Sequence, residues 1–135
     1  MIRKVRAWHK KEKKMMRLVE AGWKIDTQHL FWANLVDDAN IIIPILPREA
    51  IFMESTGLKD KHRKEIFAGD FVRLISRGFG SHNIYQVINW GHKFILSGKN
   101  HTTGKVGMMD MHEKYEYEII GNIYANPELF KGVTR

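Results

Sequence analysis

Seven histidines, at positions 9, 29, 62, 82, 92, 101 and 112, are the first residues whose chemistry has to be weighed. Imidazole ligates transition metals, but a built site needs ligands at spacings that a strand or helix brings together. None of the seven falls in an H-x-H, H-x-x-x-H or H-E-x-x-H arrangement. The chain has no cysteine, which excludes disulfides, thiolate ligands and a Cys nucleophile. No metal site is expected. Glu65 and Asp70 could act as a carboxylate pair across a cleft. Asp70, however, follows Gly69 and precedes the apolar Phe71–Val72, where a carboxylate secures a turn by accepting nearby N–H groups. Ser55, Ser76, Ser81 and Ser97 lack a G-x-S-x-G setting, and Gly78-Phe79-Gly80 lacks the G-x-x-x-x-G-K-[ST] spacing of a phosphate loop. No catalytic residue and no cofactor is assigned, and the protein is not expected to be an enzyme.

Charge offers the remaining candidate. The formal net charge is +7, yet residues 1–17 alone hold Arg3, Lys4, Arg6, Lys10, Lys11, Lys13, Lys14 and Arg17 against Glu12. Cations and anions balance in the rest of the chain, so the high pI describes one segment and not a basic domain surface. Arg3, Arg6, Lys10, Lys11, Lys13 and Lys14, with Trp8 among them, are the residues that would contact phosphates. Trp23, Phe31, Trp32 and Trp90 could stack on bases. A Lys-rich solvated turn and a set of core aromatics account for the same residues, so nucleic-acid binding stands as the alternative reading.

The elements that would position these residues are short and punctuated by glycine. Ile2–Trp8 alternates as a strand with one solvated face, a short helix being the other reading. Lys10–Lys14 reads as a turn, and Met15–Val19 as a second strand pairing with the first. Residues 20–47 follow no clean period, and an irregular excursion or short helix is expected near Gln28–Val36. Asp37–Asn40 is a turn. Ile41–Leu46 is β-branched, with Pro44 and Pro47 pushing it to a sheet edge or out of the sheet.

Ala50–Glu54 is a short strand broken at Ser55-Thr56-Gly57, and Leu58–Lys64 is a charged turn. Glu65–Phe67 is extended, Ala68-Gly69-Asp70 turns, and Phe71–Ile75 is a strand. Arg77–Asn83 is a loop, Ile84–Trp90 and Lys93–Leu96 form a hairpin about Gly91-His92, and Ser97–Lys105 is a second loop. Tyr115–Tyr124 is a strand interrupted at Gly121-Asn122. Asn126-Pro127-Glu128 starts a short C-terminal helix. A small, mostly β fold of barrel or sandwich type is expected, as a single domain over residues 1–135. No apolar run reaches the ~20 residues of a membrane span, and no apolar segment follows the basic start as in a signal peptide. A protein without membrane contact, in the cytoplasm, is expected.

The stretch Thr56–Val72, TGLKDKHRKEIFAGDFV, resembles the signature of the YopX family of small phage and prophage proteins. The matching pieces are Thr56–Asp60, Lys64–Phe67 and Gly69–Val72. Arg6-Ala7-Trp8 is similar to the family's opening and Ile119–Leu129, IIGNIYANPEL, to its close. Residues 18–50 carry no such motif. His62-Arg63 stands where the family's turn usually has an Asn-Gly pair, and Ala68 replaces an acidic residue. The resemblance implies a β-rich fold and an origin in a phage or prophage of a bacterial host, and no activity. The expected role is protein contact, with a phage or host protein or with a second copy through the Ile41–Leu46 edge.

Overall fold

Arg6-Ala7-Trp8-His9 puts alternate residues on opposite faces, and the segment pairs on both sides. The computed structural model describes residues 4–23, 30–75, 84–91, 93–99 and 106–132. In it β1 (Val5–His9) pairs antiparallel with β2 (Lys14–Trp23) through a turn over residues 10–13. The turn closes with a hydrogen bond from Lys13 N to His9 O, and Lys13 takes φ +53°. The His9 ring is buried, and its Nδ1 accepts the Glu12 N–H at 3.1 Å.

The chain forms two compact units, Met1–Glu54 and Ser55–Arg135. In the first, β3 (Leu30–Val36) pairs with β2, and β4 (Ile42–Ile45) lies outermost beside β3. Residues 50–54 of β5 (Ala50–Lys59) pair with β1 on the other side. Ala7, Met16, Ala33, Leu35, Ile45 and Ala50 form the buried face. The excursion or helix expected near Gln28–Val36 is a strand where it is described. Ala33 and Leu35 are buried and Asn34 is partly exposed between them, a period of two that the bulges in the β2–β3 ladder blur in sequence. Ile41–Leu46 does run to a sheet edge. Pro44 sits on the outermost strand, where a missing N–H costs no ladder bond.

In the second unit residues 55–59 of β5 pair with β6 (Glu65–Phe67). The strand is not broken at Ser55-Thr56-Gly57. It bulges there, and Gly57 takes φ +82°. The main sheet runs β10 (Val106–Asp110), β9 (Lys93–Lys99), β8 (Ile84–Trp90), β7 (Asp70–Leu74), β11 (Tyr117–Asn122). Its core holds Ile66, Val72, Leu74, Val87, Phe94, Leu96 and Tyr117.

Part of one expected loop, and an expected strand interruption, prove to be strand. Ser97 and Gly98 continue β9 and pair with Met108 and Gly107, and the ladder of β11 passes through Gly121-Asn122 on a bulge after Ile119. Gly98 is glycine for a packing reason. A Cβ there would lie 2.5 Å from Cδ1 of Tyr85 and 3.1 Å from the Ile84 carbonyl. The Tyr85 ring thus lies over the site that a side chain would fill. Gly98→Ala is expected to cost about 2 kcal/mol in urea unfolding, as overpacking does.

The C-terminal helix is a 3-10 segment, Pro127–Gly132. The fold is mostly β, as expected. Among the described residues neither ladder closes on itself, so the sheets are open and form no closed barrel. Among the described residues no helix is long and apolar enough to cross a membrane.

Candidate functional site

The stretch that resembles a family signature is built around a buried carboxylate that sequence reading passed over. Asp60 directly follows β5 and is 6% exposed. Its Oδ1 accepts the N–H groups of His62 and Lys64, both at 2.9 Å, and its Oδ2 accepts that of Ile119 in β11 at 3.1 Å. Burial opposes ionisation, but the N–H groups of Lys64, Ile119 and His62 outweigh it and hold the carboxyl below its ordinary pKa. The Lys61 N–H adds a bond to Tyr117 O at 2.8 Å, so the turn is fastened to β11 at two points. A signal existed, since Asp is favoured at the first position of a tight turn.

Asp70 holds the next turn as expected, accepting the Phe67 N–H at 2.8 Å. Thr56 Oγ1 donates to Ile66 O at 2.8 Å. Arg63 occupies φ +66°, the left-handed region that the missing Asn-Gly pair would have served. Arg63→Gly is expected to stabilise the protein by about 1 kcal/mol, read as a higher urea midpoint.

Around this turn the side chains pair with one another. Glu118 lies 3.2 Å from Lys61 Nζ, 3.4 Å from Arg73 and 3.8 Å from His62 Nε2. The Lys61 hydrogen bond is the largest influence and lowers the Glu118 pKa, with burial opposing and the charges of Lys61, Arg73 and His62 adding to it. A carboxylate 24% exposed and ringed by cations is a latch between turn and sheet.

The described residues of the basic segment are divided between a turn tip, an ion pair and a sheet face. Arg3 lies outside the described residues, as do the side chains of Trp23, Phe31 and Trp32. Lys10, Lys11 and Lys13 are exposed at the β1–β2 turn, with Glu12 exposed among them. Lys14 is paired with Asp37 at 3.2 Å. The Ile41 N–H is the main reason that the Asp37 pKa is lowered; burial opposes it, and the Lys14 and Ala39 bonds reinforce it. Arg6 and Trp8 lie away from the tip on the sheet face opposite the core, because Ala7 and His9 take the buried positions between and after them. Cross-strand register brings Arg6 opposite Arg17 and Trp8 opposite Met15. Arg17 was not among the candidate residues, yet pairing puts it beside Arg6. Trp90 ends β8 in the second unit and is 58% exposed.

His29, His82, His92 and His101 lie outside the described residues. Of the others, His112 Nδ1 accepts the Lys114 N–H at 3.1 Å, while His9 and His62 make the contacts already given.

Comparison with known proteins puts these elements in a wider setting. The family model described as YopX protein matches residues 4–131. A search of curated proteins finds no match. The crystal structure of protein EF1440 from Enterococcus faecalis is similar over 96% of this chain and 98% of its own, with a TM-score of 0.62 and 23% identity. The crystal structure of yopX from Bacillus subtilis is similar over 96% and 98%, with a TM-score of 0.58 and 20% identity. At that identity the two structures show a shared fold, while the family match runs through Thr56–Val72 and both flanking motifs. The chain belongs to the YopX family.

Proposed function

We propose that this chain is a phage- or prophage-encoded protein-interaction module, not an enzyme, working in the cytoplasm of the bacterial host. The observation that carries the reading is the concentration of exposed aliphatic side chains at one strand. Ile41, Ile42 and Leu46 are 58%, 59% and 44% exposed at β4, the outermost strand of the first sheet. Side chains of this kind gain from burial against a partner, at roughly 25 cal/mol per Å² of apolar surface. Photo-crosslinking in the host cell tests it, with the reactive residue placed at position 42. A protease-sensitive, nuclease-resistant adduct is expected. A nuclease-sensitive adduct, or none from position 42 or any other exposed site, would overturn it.

Nucleic-acid binding remains the second reading because Arg6, Trp8 and Arg17 share one sheet face. A homo-oligomer joined edge to edge through Ile41–Leu46 is opposed by the strand itself. Pro44 has no N–H, and the Leu46 N–H is already donated to Glu49 Oε1 at 2.6 Å.

A further inference from the structure

Each sheet ends in two edge strands, and three of these are blunted against further pairing. β4 carries Pro44, and the Leu46 N–H just beyond it is donated to Glu49 Oε1. β6 is three residues long. β11 is bulged, and on its outer side the Ile119 N–H is donated to Asp60 while Tyr117 O accepts the Lys61 N–H. β10 is different. It pairs with β9 without a bulge and contains neither Pro nor Lys.

Register decides which of its backbone groups are free. The Met111 N–H is donated to Phe94 O at 3.5 Å, so the alternate residues Met109 and Gly107 also turn their N–H and C=O groups to β9. Val106, Met108 and Asp110 therefore point theirs out of the sheet, where no described strand meets them. The side chains of Met108 and Asp110 share a face with Trp90, Lys93 and Ile95. With Met109 these residues line an open groove of about 250 Å³, in which Trp90 and Met108 are 58% and 56% exposed. We infer that β10 is a dimerisation edge, pairing antiparallel with β10 of a second copy about a two-fold axis at Met108. This contact goes beyond the partner proposed at β4 and does not depend on it.

The strand is complementary to itself in that register. Met108 faces Met108 of the second copy and Val106 faces Asp110, so each outward N–H and C=O meets its counterpart. Gly107 falls opposite Met109 of the second copy in a close pair without hydrogen bonds. A Cβ on Gly107 would meet nothing within 4 Å, so there is room for the longer side chain. Charge agrees. A chain of net charge +7 repels its own copy, but at this edge Asp110 is paired with Lys93 at 2.9 Å and no like charges face each other. The exposed Met108 side chains meet beside the groove, where thioether chains adapt to irregular apolar surface.

Light scattering of the whole chain across a range of concentrations tests the inference. A mass twice the 15.8 kDa of the chain is expected at high concentration. Met108→Lys sets two cations face to face and should weaken dimerisation at least about tenfold, a difference of about 1.4 kcal/mol. Met108→Pro removes an N–H that only the second copy uses, and should do the same with the β9 ladder intact. Met108→Lys decides alone should the Pro variant unfold. Crosslinking reads the register. The chain has no cysteine, so Met108→Cys supplies a single thiol, its Cα about 5.5 Å from that of its copy and within reach of a short bifunctional thiol reagent. Asp110→Cys places the thiols roughly 14 Å apart along the strands and should crosslink poorly. A dimer indifferent to Met108→Lys, or crosslinking from position 110 equal to that from 108, would overturn the inference. So would a monomer at every concentration, which would leave β10 to an extended segment of another protein.

Discussion

Asp60→Ala is expected to destabilise the protein by about 3 kcal/mol, measured by urea unfolding. Hydrogen bonds to a charged acceptor are worth roughly 1.5–3 kcal/mol each. Asp60 receives three, but His62 N and Lys64 N lie in a surface turn where water can replace the lost oxygen. Ile119 N belongs to a strand of the sheet, so its bond carries most of the loss. Asp60→Asn keeps one carbonyl oxygen and is expected to cost about half as much. The same carboxylate sets a pH dependence. Its folded pKa is below the unfolded one, so its contribution is complete above the ordinary carboxylate range and disappears as pH falls through the folded value. The wild type should therefore lose stability on acidification below about pH 4, and Asp60→Asn should lack this part of the loss.

Tyr117→Ala is the more damaging change, at about 4 kcal/mol, since removal of a large buried aromatic typically costs 3–5. Tyr117 is 1% exposed, packs in the core of the second sheet and meets Tyr115 edge-on at 6.4 Å. Its hydroxyl accepts the His112 N–H at 2.8 Å and donates to the His112 carbonyl at 3.0 Å. Tyr117→Phe isolates those two bonds and is expected to cost about 1–2 kcal/mol. Burial raises the phenol pKa, the His112 bond opposes it, and Tyr115 adds to the rise. The phenol's contribution is full below its unfolded pKa of about 10 and is lost as pH rises through the folded value. Alkaline unfolding should accordingly begin earlier in the wild type, relative to its neutral stability, than in Tyr117→Phe.

Much of the β content was legible because short periods and turn residues carry it. Lys10–Lys13 turns between paired strands, Asp37 holds its own turn, and the hairpin turn begins at Gly91 with φ +65°. Two of the misreadings share one cause. Ser55–Gly57 and Gly121–Asn122 look like breaks, and in the fold they are bulges, which keep the ladder while shifting its phase. Ser97 looks polar enough for a loop yet is fully buried in β9. The candidate site was legible only in part. Sequence proximity gathered Arg6, Lys10, Lys11, Lys13 and Lys14 into one segment, and strand geometry separated them into a tip, an ion pair and a sheet face. Arg17 joins Arg6 by register, which no local pattern reveals.

On the protein-contact reading proposed above, the described residues 4–17 offer no polyanion site. Titration of the whole chain with DNA and RNA at two salt concentrations tests it most directly. Weak binding with a shallow salt dependence is predicted, unaltered by joint replacement of Lys10, Lys11 and Lys13 with alanine. Tight binding whose log–log salt slope reports about four or more phosphate contacts, and which that replacement abolishes, would contradict it.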